Sequence, residues 1–284
     1  MAPQPRRLRG ARGARDHVAV TSMRGSVLHL RAVLLDLDGV LYVEDEPVPG
    51  SAEAVARLRG LGLALRFVTN TTSRPRARTL EKLERLGFGV AEPELITPAA
   101  LAVRHCREHG HRRVALLMTD DVKADFAALE EADGPADAVI IGDLGTAFDY
   151  QALNRAFRLV MDGAELVALQ KNRYWLTAGG LSLDVGPFVA AIEYATRREA
   201  FVAGKPSPAF FELVLRELGV EAKDAAIVGD DIETDVGGGL RAGLSAILVR
   251  TGKYRPDAVR ASGIKPTVTV ASIADLPALL TEAP

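Results

Sequence analysis

Cysteine is nearly absent: Cys106 stands alone among 284 residues. It has no internal disulfide partner, and no thiolate metal cluster can form within one chain, a pattern that fits a reducing cytoplasm. Its surroundings suggest a small apolar residue on a helix. Long hydrophobic runs are also missing. None approaches the ~20 residues needed to span a bilayer, so no membrane partner is expected. Nor does one sign of charge prevail. Thirty-five Lys and Arg against 37 Asp and Glu leave a net charge of -2, which gives no electrostatic case for nucleic acid. No repeat of 20 to 50 residues is visible, which removes solenoids and propellers. What remains is an ordinary globular composition, 48% hydrophobic and 25% charged, long enough for one large domain or two modest ones.

Basic charge is concentrated at the start, MAPQPRRLRGARGARDHVAVTSMRG. This stretch has no periodicity and no apolar h-region, so it does not read as a secretory signal. A transit peptide is one alternative. A disordered tail over residues 1–27, or an overlong start with Met23 as the true one, is the preferred expectation.

The chain is organised around RAVLLDLDGVLY at 31–42. Residues 32–35 form a short apolar run without polar alternation, the pattern of a strand buried on both faces in a parallel sheet. Asp36 and Asp38 follow at its end. Side chains two apart on an extended chain share a face, about 6 to 7 Å apart, so both can address one ligand. Gly39 frees the backbone to turn. Two anions held that close repel by about 2 to 4 kcal/mol at an effective dielectric near 20, which a divalent cation or a shared proton would relieve. The competing structural role is a plain strand-end turn.

Downstream, residues 43–49 read as a polar loop with two prolines. A helix follows at 51–61 with Ser51 as N-cap, then a strand at 63–68, Thr69 and Asn70 at its end, and a helix at 74–86. This order is a βαβ unit. Residues 98–199 read as an inserted α/β domain, with helices at 99–109, from 121 and at 150–161. Its strands are at 114–118, 138–141, 166–169 and 181–185, with a loop at 170–180. The first pattern then resumes through GKPSP, a helix at 208–218, a strand at 225–228, GDDIETD, a helix at 236–242, strands at 245–249 and 267–270, and a helix at 273–280.

Four segments therefore place chemical groups after apolar strands: Asp36 with Asp38, Thr69 with Asn70, Lys205, and Asp230 with Asp231 and Asp235. In open parallel sheets ligands bind outside the carboxyl ends of the strands. Carboxylate oxygens suit Mg²⁺, a threonine hydroxyl and backbone N–H groups suit phosphate oxygens, and Lys205 offers a point charge. Together they describe a site for a phosphoryl group. Singly, each has a bland alternative: a turn hydroxyl for Thr69, a solvated surface charge for Lys205, and a helix cap for the three aspartates.

DLDGVLY, FVTN, the lysine of GKPSP and GDDIETD resemble the four motifs of the haloacid dehalogenase (HAD) superfamily. The long insertion resembles the C2-type cap of its NagD-like subfamily IIA. More narrowly, FVTNTT, YQALNRAFRLVMDGA, LDVGPF and LVRTGKYRP are similar to the group of phospholysine phosphohistidine inorganic pyrophosphate phosphatases. The resemblance implies a Rossmannoid parallel-sheet core over 28–97 and 200–284, with an inserted α/β C2-type cap over 98–199. It implies a Mg²⁺-dependent phosphatase in the cytoplasm, acting on a small phosphorylated molecule. Asp36 would be the nucleophile and Asp38 the general acid and base. Thr69, Asn70 and Lys205 would hold the phosphoryl group or orient Asp36. Asp36, the backbone carbonyl of Asp38, and Asp230 would hold the metal, with Asp231 and Asp235 behind them or capping the helix. A homodimer is the expectation by analogy.

The loop carrying Lys171, Arg173, Tyr174 and Trp175 is a candidate grip for the leaving group, with residues 143–150 a second candidate. A dehalogenase would not require Asp38 or the acidic cluster. A phospho-acceptor module would be about half this length and order its acidic residues differently. A catalytically silent phospho-ligand binder is the remaining alternative.

Overall fold

The structure is a computed structural model that describes residues 30–177 and 180–281; the basic stretch at 1–27 lies outside them. Strand β1 (Ala32–Asp36) is buried at every position, as its uninterrupted apolar run requires. The chain then makes a short antiparallel hairpin, β2 (Tyr42–Val43) with β3 (Glu46–Pro47), where a polar loop was expected. Helix α1 (Ser51–Gly60) follows. Its N-cap is Gly50 at φ 78, not Ser51, because the left-handed turn at Gly50 brings Ser51 into the first helical turn. There the Ser51 hydroxyl is buried without a partner. Strand β4 (Ala64–Val68), α2 (Arg76–Arg85) and the edge strand β5 (Leu95–Ile96) complete the first half of a parallel sheet.

Helix α3 (Pro98–Glu108) starts as its sequence dictates. Pro98 takes the first position, and the Thr97 hydroxyl accepts from the Ala100 N–H at 3.2 Å. A second sheet is then built from β6 (Arg113–Leu117), β7 (Glu130–Glu131), β8 (Ala138–Ile141) and β9 (Glu165–Ala168). Between β6 and β7 lies α4 (Asp120–Lys123), a single turn rather than a full helix, and α5 (Tyr150–Met161) precedes β9.

Residues 170–180, expected as a loop, contain β10 (Tyr174–Thr177), which pairs antiparallel with β11 (Gly180–Leu183); aromatic and β-branched residues favour such pairing. Helix α6 (Val185–Thr196), capped by Asp184, overrides the Gly-Pro pair at its start, since proline is tolerated in a first turn. Strand β12 (Phe201–Val202) pairs with β9, so the second sheet extends past residue 199, in the order β12-β9-β8-β6-β7.

The chain then returns to the first sheet through α7 (Pro208–Leu218), β13 (Ala225–Gly229), α8 (Gly238–Arg241), β14 (Ser245–Val249), α9 (Pro256–Ser262), β15 (Val268–Val270) and α10 (Leu276–Thr281). The first sheet has the order β15-β14-β13-β1-β4-β5, parallel throughout. Among the described residues no helix is long and apolar enough to cross a membrane.

Of three apolar clusters among the described residues, one spans both sheets and each of the other two belongs to one sheet. A single cluster runs from Leu34 of β1 through Leu101 of α3 to Ile140 of β8, and includes Phe126 and Phe210. At the far end of α3, His105 stacks on Phe201 with ring centres 3.6 Å apart, and the Glu165 carboxylate accepts from His105 Nε2 at 2.9 Å and His111 Nε2 at 2.5 Å. Burial pushes the His105 ring below its usual value against the pull of Glu165. Cys106 is buried beside it, its thiol pushed up to about 12 by burial, an inert packing residue as expected.

A core common to both sheets predicts one cooperative transition in urea. Leu101→Ala should lower stability by about 2 to 5 kcal/mol without splitting that transition. Two separate transitions in either protein would show that the shared cluster does not couple the sheets.

Candidate active site

The carboxyl ends of β1, β4 and β13 meet the segment that follows β12, and Asp36, Asn70, Lys205, Asp230 and Asp235 converge there. Asp36 closes β1 with 8% of its surface exposed, while Lys205 and Asp230 are each 2% exposed. The Lys205 ammonium donates to Asp36 Oδ1 at 2.6 Å and to Asp235 Oδ1 at 2.7 Å. Burial alone would discharge this lysine, but Asp235 and Asp36 outweigh it and hold the ammonium above the usual lysine range. Asp235, expected behind the metal ligands or in a helix cap, is a direct partner of Lys205. The reason is local. The expected helix at 236–242 is present as α8 but is preceded by a π-helical turn, Ile232–Gly237, and this turn points Asp235 back at the site. Asp231 takes the cap, accepting from the Glu233 and Thr234 N–H groups at 2.9 and 3.0 Å.

Asn70 brackets the lysine. Its Nδ2 donates to the Lys205 carbonyl at 2.7 Å, and its Oδ1 accepts from the Lys205 N–H at 2.8 Å. The amide therefore positions the lysine segment, a role that the strand-end position of Asn70 did not reveal. Gly204 permits the approach: a Cβ there would lie 2.6 Å from the Leu169 carbonyl and 2.8 Å from Asn70 Oδ1. Thr69, 3% exposed, forms a hydroxyl turn, accepting from the Thr71 N–H at 3.0 Å and donating to the Thr71 hydroxyl at 3.0 Å. Asp38 stands apart from the buried cluster, half-buried, with the Tyr42 hydroxyl donating to its Oδ2 at 3.5 Å.

Asp36, Asp230 and Asp235 each present an oxygen within 4.8 Å of the others. Three buried carboxylates face one buried ammonium, so negative charge is in excess. Burial, then the like charges of Asp36 and Asp235, pushes Asp230 up to about 8. Burial likewise pushes Asp235 up to about 7, with Lys205 opposing. Asp230 Oδ1 is buried without a hydrogen-bond partner, while Oδ2 accepts from the Lys253 N–H at 2.6 Å. An orphaned carboxylate oxygen among excess carboxylates has the donor chemistry of a hard divalent cation.

The turn after β14 joins the site as well, although no residue in it is among the candidate site residues of the sequence. Its Thr251 hydroxyl donates to the Gly39 carbonyl, and Gly252 packs on Gly39. Both glycines have positive φ, 85 at Gly39 and 61 at Gly252, and a Cβ on either would lie within 2.0 Å of Asp230 Oδ2. The missed signal was the one already in use: polar residues directly after an apolar strand.

Of the candidate grip, Lys171 is engaged by both Glu193 oxygens at 2.8 and 2.9 Å, and Gln170 is buried against Asp184. The Arg173 guanidinium lies 5.5 Å from the Tyr174 ring centre. The side chain of Trp175 lies outside the described residues. In the second candidate segment, Asp143 Oδ1 accepts from the Gly145 N–H at 2.9 Å, a local turn.

Comparison with known proteins gives the family. The family description "haloacid dehalogenase-like hydrolase" matches residues 33–130, and "HAD-hydrolase-like" matches 202–276. The chain is 46% identical over 226 residues to haloacid dehalogenase-like hydrolase domain-containing protein 2 of Bos taurus, covering 80% of this chain and 86% of that one. It is 44% identical over 233 residues to human phospholysine phosphohistidine inorganic pyrophosphate phosphatase, covering 80% and 85%. Among solved structures, the 4-nitrophenylphosphatase of Thermotoga maritima superposes with a TM-score of 0.83 at 28% identity, covering 90% of this chain and 99% of that one.

With Asp230 pushed up to about 8, a cation bound there must displace a proton. Affinity for Mg²⁺ should therefore rise from pH 6 to pH 8, by up to roughly tenfold per unit. Calorimetry in two buffers of different ionisation enthalpy should register the released proton. Affinity flat across that window would remove the cation from Asp230.

Proposed function

The chain belongs to the haloacid dehalogenase-like hydrolases, and on that premise we propose that it is a Mg²⁺-dependent phosphatase working through an aspartyl-phosphate on Asp36. One contact carries this reading: Lys205 holds Asp36 Oδ1 at 2.6 Å, which orients the carboxylate and leaves Oδ2 to attack. Relatives named for phosphatase activity support the reaction class. The substrate is a small phosphate monoester, phosphoramidate or pyrophosphate.

The steps follow from charge and position. Asp36 Oδ2 attacks phosphorus as the bond to the leaving oxygen or nitrogen breaks, and protonated Asp38 gives that atom its proton. Ionised Asp38 then takes a proton from a water molecule whose oxygen attacks the phosphorus of the aspartyl-phosphate. Phosphate leaves, and Asp36 is regenerated. Tyr42, donating to Asp38 Oδ2, steadies the carboxyl group through both transfers. The turn beginning at Thr69 and the buried Lys205 hold the phosphoryl oxygens, with Asn70 fixing the lysine segment. Phosphoryl transfer asks for little beyond such positioning and charge neutralisation. Asp36, Asp230 and the backbone carbonyl of Asp38 would hold Mg²⁺, which when bound neutralises charge on the nucleophile and the transferring group. The inserted α/β unit, expected over 98–199, serves as a C2-type cap that screens the site and selects the leaving group.

Hydrolysis of 4-nitrophenyl phosphate by the purified protein should require Mg²⁺ and disappear in Asp36→Asn. Asp38→Asn should lower kcat by about 10² to 10⁴. Turnover that survives Asp36→Asn would sink the assignment of the nucleophile.

A further inference from the structure

Lys205 lies on the floor of the site, buried and shared between Asp36 and Asp235, where only the transferred phosphoryl group can reach it. A second lysine approaches from the other side. In the first sheet β13 and β1 are neighbours, with β14 flanking β13 and β4 flanking β1. Lys205 is bracketed by Asn70 at the end of β4. Lys253 stands just past the end of β14 and reaches the Asp36–Asp230 pair from the opposite flank. Its backbone is held firmly. The Lys253 N–H donates to Asp230 Oδ2 at 2.6 Å, the Thr251 hydroxyl donates to the Gly39 carbonyl, and a Cβ on Gly252 would lie 2.4 Å from Gly39 Cα.

The side chain of Lys253 is exposed. Unlike Lys171, which is tied to Glu193, its ammonium has no carboxylate or carbonyl partner among the described residues. The carboxylates of Asp230 and Asp36 lie near enough to attract it electrostatically. An anchored backbone carrying an unpaired ammonium at the rim of a buried site is an arrangement for a ligand that brings its own negative charge.

Geometry says which part of the substrate that is. The transferred phosphoryl group must reach Asp36 at the buried end, and the attacking and leaving atoms lie roughly in line. The leaving group therefore points outward, to the level of the exposed lysine. We propose that Lys253 binds the leaving group of the substrate and selects phosphoryl donors whose leaving group is itself anionic. This rests on the phosphatase reading of Asp36.

The test compares 4-carboxyphenyl phosphate with 4-carbamoylphenyl phosphate, esters of similar size whose leaving groups differ in charge. Lys253→Met keeps the aliphatic stem and removes the charge. It should raise KM for the carboxylate ester by at least about tenfold, with kcat within about twofold, and change KM for the carbamoyl ester less than about threefold. Lys253→Arg should restore most of the preference, and 0.5 M salt should erode it in the wild-type protein. Equal losses on both esters would overturn the proposal by placing Lys253 on the transferred group or in the support of Asp230. No change on either would return it to the solvated surface. Wild-type protein that hydrolyses neither ester with Mg²⁺ would overturn the phosphatase reading, and this proposal with it. Activity on the carbamoyl ester that is lost in Asp36→Asn separates the two failures.

Discussion

Removing an ammonium from water costs several kcal/mol unless carboxylates compensate it, and removing one such partner leaves a buried charge that a fold tolerates poorly. Lys205 is compensated twice, by Asp36 from β1 and by Asp235 from the turn after β13. The contact joins three separated parts of the chain and closes the return from the second sheet onto the first. Asn70 makes it rigid by taking both backbone groups of the lysine. The sheet order, the π-helical turn and the close approach of Gly204 together bring the members of this ion triad into contact.

The same triad sets the charge of the site. Two carboxylates already outnumber one ammonium, and Asp230 adds a third anion with one oxygen unpaired. In a water-poor setting that excess is relieved by a proton or a divalent cation, and the glycines at 39 and 252 keep side chains clear of the other Asp230 oxygen. Excess negative charge built into a fold at a cost to its stability is a usual mark of a functional site.

The second sheet is bound to the first by a common core rather than by a loose linker. Leu101, Phe126 and Phe210 belong to one cluster, and His105 stacks on Phe201 beside the second crossing. Its contribution to selectivity is therefore better sought in side chains at the rim than in a large rearrangement. With Lys171 committed to Glu193, one of the cations that a reading of the loop would favour is removed, and attention passes to the turn after β14.

The α/β class, the parallel sheets and the strands carrying Asp36, Thr69 and Asp230 were legible in the chain alone. Short apolar runs bury on both faces whatever surrounds them, and the polar residues that end them must lie at the sheet edge. The π-helical turn, the pairing of β10 with β11 and helix Val185–Thr196 were not legible, because glycines and a proline carry weak or contrary local signals that packing overrode. Nor could residue spacing tell a capping aspartate from one facing a lysine. Asp231 and Asp235 are neighbours in sequence with similar propensities, and only the direction of the turn sends one to the helix and the other to Lys205. Sequence by itself determined which residues reach the ends of the strands, since that follows from local hydrophobic patterning. Tertiary structure decided which of them touch, since a contact between residues 36, 205 and 235 exists only once two sheets share one core.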